Sequence, residues 1–110
     1  MNRDDRVYID HILQSIDRIL KYISGKDQDN FNEDQLTQDA VVRQLEIIGE
    51  ATKQISKGLR VKNPDVPWSE MAGMRDILIH EYIDVDLDIV WKTVSESISE
   101  LKDLLGKIEY

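Results

Sequence analysis

Apolar residues recur three and four positions apart through almost the whole chain, and the only two prolines, Pro64 and Pro67, fall together in one short stretch. That period lines apolar side chains along one stripe of an α-helix, and helices patterned this way bury their stripes against one another. The chain therefore reads as all-α. A first helix is expected from near Asp4 or Asp5 to about Ser24, buried through Ile9, Ile12, Leu13, Ile16, Ile19, Leu20 and Ile23 and stopped by Gly25. Asn32, with Gln35 three residues on, forms a capping-box pattern for a second helix ending near Ser56, with Val41, Leu45, Ile48, Ala51, Thr52 and Ile55 as its core. Gly49 inside that helix costs about 1 kcal/mol against alanine, which a close helix crossing would explain. The segment GLRVKNPDVPW reads as a loop, Trp68 as a core anchor, and a third helix as spanning about Trp68 to Tyr82 over Met71, Met74, Ile77 and Leu78. Asp86 caps a last helix through Trp91, Val94, Ile98, Leu101, Leu105 and Ile108. The expectation is an antiparallel up-down bundle of four to five helices in a single domain, residues 1–110.

Charge and cysteine usage narrow the function classes. With 14 basic and 22 acidic residues the formal charge is −8, which opposes nonspecific attraction to nucleic acid and argues against a coat-like RNA binder. No DNA partner is expected. A ribonuclease that gathers a few cations in one cleft stays compatible, because local potential steers the substrate. With no cysteine there is no disulfide and no thiolate metal site. The opening MNRDDRVYIDHILQ lacks the apolar run of a signal peptide and no segment looks like a membrane span, so a soluble, cytoplasmic protein is expected.

Chemistry concentrates in Arg75-Asp-Ile-Leu-Ile-His80-Glu-Tyr82. Arg75 offers a permanently charged planar fork able to hold phosphate oxygens by two parallel hydrogen bonds. His80 has an unperturbed pKa near 6.5, suited to giving or taking a proton at neutral pH. Neither role needs a metal or a cofactor. On an ideal helix Arg75 and His80 point roughly 140° apart with a rise of roughly 7.5 Å, whereas Arg75 and Tyr82 lie within roughly 20° of one face. Cleavage of RNA by its 2′-hydroxyl needs both a base and an acid, and one imidazole cannot be both at once. The chain has only His11 and His80, so another side chain serves or two copies of His80 meet across a twofold axis, which makes a homodimer a mechanistic expectation. His11, among polar neighbours, reads as a surface residue. Asp39, Arg43, Glu46 and Glu50 are possible supporting residues: Arg43, Glu46 and Glu50 share a helix face and as a solvated charge row are worth a few tenths of a kcal/mol, while Glu46 or Asp39 could instead orient Arg75 or tune His80.

The spacing of Arg75, His80 and Tyr82 resembles the R-x4-H-x-Y motif of the HepT ribonuclease toxins within the HEPN superfamily. The blocks NRDDRVYIDHILQSIDRILKYISG, DAVVRQLEIIGEA, PDVPWSEMAGMRDILIHEY and VDLDIVW are similar to that family in order and spacing, so the resemblance covers nearly the whole chain. It implies a HEPN-like helical dimer and a metal-independent endoribonuclease, the toxin of a HEPN/MNT (type VII) toxin-antitoxin pair. Its partner would be an MntA-like nucleotidyltransferase antitoxin. By the same resemblance Arg75 and His80 are catalytic and Tyr82 receives AMP from the antitoxin. An added AMP places a bulky anion beside a phosphate-binding cleft, where it competes with RNA for Arg75. Read structurally, Arg75 instead pairs with Asp76 or another acid and His80 packs near the core; a second class of function is a non-catalytic helical binding module that acts as partner or substrate of a nucleotidyltransferase.

Overall fold

The computed structural model describes residues 3–80 and 86–110, and the side chains of residues 4–74 and 86–110. Helix α1 spans Arg3–Ile23. Ile9, Ile12, Ile16 and Ile19 are buried on one stripe, with Leu13, Leu20 and Ile23 half-buried at its margins. The helix ends where expected, because Gly25 takes a φ of 76°, a left-handed conformation that only glycine adopts without strain.

The capping of the next segment differs from the expectation. Asn32 is not a cap; it lies within a short helix, α2 (Gln28–Glu33), and its carbonyl accepts from the Gln38 side chain at 3.1 Å. Two aspartates do the capping. Asp27 accepts from the Asn30 backbone N–H at 2.8 Å and opens α2, while Asp34 accepts from the Thr37 N–H at 3.1 Å and from its hydroxyl at 2.7 Å, opening α3 (Gln35–Lys53). An ionised carboxylate is the stronger acceptor, and its charge is favoured at a helix N-terminus. The reason for α2 is Phe31, which is fully buried and packs against Trp91 with ring centroids 5.3 Å apart.

Helix α3 buries Val41, Leu45, Ile48, Ala51 and Thr52, with Gly49 buried beside them. It ends at Lys53, short of Ser56, because Ser56 caps a further short helix, α4 (Lys57–Lys62), inside the stretch expected to be a loop. The caps are linked: buried Asp5 of α1 accepts from the Ser56 N–H at 2.8 Å and from its hydroxyl at 2.6 Å, and Ser56 Oγ accepts from the Leu59 N–H at 3.2 Å. Beyond α4, Asn63 acts as a clamp. Its side chain donates to the carbonyls of Leu59 and Glu109 and accepts from the Glu109 N–H at 2.7 Å, and its own carbonyl accepts from Trp68 Nε1 at 2.9 Å.

Trp68, 7 % exposed, is the expected core anchor and opens α5 (Trp68–His80). The expected end of that helix at Tyr82 and the side chains of Ile77 and Leu78 lie outside the described residues. Asp86 caps α6 (Leu87–Lys92) through the backbone N–H groups of Asp88 and Ile89, as expected. A π-helical turn, Thr93–Ser97, joins α6 to α7 (Ile98–Leu105), and Val90, Val94, Ile98, Leu101 and Leu105 are buried along this unit. The result is an all-α bundle with no strand among the described residues. Helix α3 makes its broadest contacts with α1 and α5, α7 packs on α1, and α2 bridges α3 and α6.

Candidate active site

Helix α5 carries the motif. It begins directly after Pro67, whose carbonyl accepts from the Met71 N–H at 3.0 Å, and it is fastened by the buried Trp68 and Met71. From Trp68 the backbone is α-helical through Arg75 to His80, so the two α-carbons have the helical offset of roughly 140°. The side chains of Arg75 and His80, and all of Tyr82, lie outside the described residues.

The possible supporting residues all sit on α3, the helix against which α5 packs. Asp39 accepts from Gln35 Nε2 at 2.8 Å. Arg43 Nη1 lies 3.6 Å from Glu46 Oε2, a contact between neighbouring turns of one helix with the arginine side chain 68 % exposed. That contact is an ion pair worth little by itself; the reading in which Glu46 or Asp39 orients Arg75 or tunes His80 falls on side chains outside the described residues. Glu50 is exposed on the same helix, one turn beyond Glu46.

Helical position divides this row. Arg43, Ile47, Glu50, Ala51 and Gln54 face α1 and line an open groove of about 450 Å³, whose other wall is Tyr8 and His11. His11 is exposed, as expected, and meets Tyr8 edge-on at 6.2 Å. Glu46 is absent from this lining. The groove was legible in principle: Tyr8 and His11 are three apart, and Arg43, Ile47, Glu50 and Gln54 follow a helical i, i+4, i+7, i+11 spacing.

The family model for HepT-like ribonucleases matches residues 12–108, which contain every position of the motif. The chain belongs to the HepT-like ribonuclease family. Its relatives point the same way. A Thermococcus cleftensis protein named a probable ribonuclease HepT is 44 % identical over 109 residues, covering 99 % of this chain and 96 % of its own length. A candidate RNase of Caldanaerobacter subterraneus is 44 % identical over 103 residues, covering 94 % of this chain and 92 % of its own. A Methanocaldococcus jannaschii protein, named as a gamma-glutamylcyclotransferase and candidate RNase, is 44 % identical over 108 residues. That alignment takes in 98 % of this chain but 49 % of the archaeal protein, so the chain spans about half of that relative. No solved structure gives a significant match.

Proposed function

We propose that this chain, an endoribonuclease of the HepT-like family, cleaves RNA without a metal and is the toxin of a HEPN/MNT (type VII) toxin-antitoxin pair. The observation that carries the reading is the family match over residues 12–108, with Arg75, His80 and Tyr82 at the R-x4-H-x-Y positions inside it. Arg75 holds the scissile phosphate and offsets charge on the pentacoordinate phosphorane. His80 moves the protons, and a homodimer supplies the second imidazole, so that one copy takes the 2′-hydroxyl proton and the other protonates the leaving 5′-oxygen. The products are a 2′,3′-cyclic phosphate and a 5′-hydroxyl. An MntA-like nucleotidyltransferase silences the enzyme by adding AMP to Tyr82, whose phosphate competes with RNA for Arg75. Among the described residues no helix is long and apolar enough to cross a membrane.

The test is the chemistry of RNA ends made by purified protein in excess chelator. Cyclic phosphate ends, lost in His80→Ala while the dimer stays folded, support the mechanism; an absolute metal requirement overturns it. Expression of the chain alone separates toxin from docking module, since only an active nuclease halts growth. Mass spectrometry of Tyr82 after coexpression with the transferase tests the silencing scheme, and an unmodified tyrosine counts against it.

A further inference from the structure

We propose that the groove between α1 and α3 is a second RNA subsite, holding one unpaired nucleotide of the strand whose scissile phosphate lies at α5. This rests on the ribonuclease reading and extends it to a place the motif does not reach. The groove brings together the groups that a nucleotide requires. Tyr8 and His11 meet edge to face at 6.2 Å and 88°, so a base can stack on the face of one ring while the other packs at its side. Arg43 lines the same groove, and its ion pair with Glu46 at 3.6 Å is too long for a strong hydrogen bond. A phosphate can therefore draw the exposed guanidinium away at small cost, since it offers the two-pronged geometry that the glutamate is not using. Gln54, exposed at the end of the groove, carries both a donor and an acceptor for a base edge.

Glu50 sets the selectivity. A carboxylate accepts at about four positions, so it can keep an existing protein contact and still take a hydrogen bond from a ribose hydroxyl. It repels a second phosphate in the same groove. One cation, one aromatic pair, one amide and one hydroxyl acceptor fit a single ribonucleotide better than a run of phosphates. The volume of about 450 Å³ lies in the range of sites that enclose small ligands. The position fits as well: α3, which forms one wall of the groove, also packs on α5, and packed helix axes lie roughly 8–10 Å apart. A strand crossing α3 covers that distance within a few nucleotides.

The experiment uses the His80→Ala protein, which cannot turn substrate over, and labelled single-stranded oligoadenylates from about two to about eight nucleotides, with affinity read by fluorescence anisotropy. Affinity should rise with length once the strand reaches the groove. In the added pair His11→Ala and Arg43→Gln that rise should fall by about tenfold, as expected for losing one stacked base and its phosphate contact, while the dinucleotide stays within about twofold. Deoxyadenylates of the same lengths should gain less than the RNA series. Gln54→Ala alone should act in the same direction by a smaller factor. All three side chains are exposed, and thermal melts verify that each variant folds. A length-dependent gain that survives in the folded double variant overturns the subsite, and so does a parent protein whose affinity is flat with length. Cleavage by the unmutated protein is scored separately: cleavage without groove dependence sinks only the subsite, and groove-dependent binding without cleavage sinks only the nuclease.

Discussion

Asp5 offers the strictest test of how the fold holds the motif helix in place. Its carboxylate is 2 % exposed, yet it accepts from both the N–H and the hydroxyl of Ser56, fifty-one residues away. Hydrogen bonds to an ionised group contribute about 1.5–3 kcal/mol each, and removing the buried carboxylate forfeits both. Asp5→Ala should therefore lower stability by about 3–4 kcal/mol, and for a domain of this size the melting temperature should fall by roughly 10–20 °C. Ser56→Ala loses the hydroxyl bond and the cap on α4, about 2–3 kcal/mol together. In the double variant the hydroxyl bond cannot be lost twice, so the two changes should fall short of additivity by about 2 kcal/mol. Urea titrations followed by far-ultraviolet circular dichroism, at one fixed protein concentration so that any dimerisation cancels, measure all three. A coupling below about 0.5 kcal/mol would refute the claim that this buried pair ties α1 to the α4 connection leading into α5.

Other expectations follow from single residues. Hydrogen bonds from the Thr37 hydroxyl and backbone, then from Lys26, lower the Asp34 pKa from 3.8 to about 2. A depressed folded pKa means that its stabilisation is present above about pH 4 and drains away as pH falls toward about 2; the acid limb of the urea midpoint should flatten in Asp34→Asn. Asn63→Ala should release the backbone at Glu109, seen as amide hydrogen exchange there roughly 5- to 30-fold faster, with helical content unchanged. Trp68→Phe keeps the buried ring but leaves the Asn63 carbonyl without its indole donor, so the loss should be about 1 kcal/mol, against about 3–5 kcal/mol for Trp68→Ala.

The stripes of α1 and α3 were readable residue by residue because long amphipathic helices announce themselves through many correlated positions, and Trp68, Gly25 and Asp86 stood at boundaries whose chemistry leaves little choice. The short helices were not. Six residues of α2 form no stripe, and its one buried side chain, Phe31, carries no period; only the aspartates at 27 and 34 mark its limits. Helix α4 hid behind Pro64 and Pro67, which signal irregular backbone after it but say nothing of the turn and a half before them. The π turn at Thr93–Ser97 leaves no trace, since its apolar spacing is equally good for an α-helix. At the motif, the apolar spacing foretold the helix that carries the backbone of Arg75 and His80, while their side chains and Tyr82 lie outside the described residues. A charge row such as Arg43, Glu46 and Glu50 looks alike in sequence whichever neighbour it serves, so its spacing alone does not separate an ion pair from a supporting role.

Helix α3 touches both α1 and α5, and eight of its residues are buried. Whatever nestles beside His11 and whatever is gripped at the motif thus lean on one common beam. If filling one place tightens the other, thermodynamic reciprocity requires the benefit to be returned in equal measure, and a substitution inside that beam should disturb both affinities together.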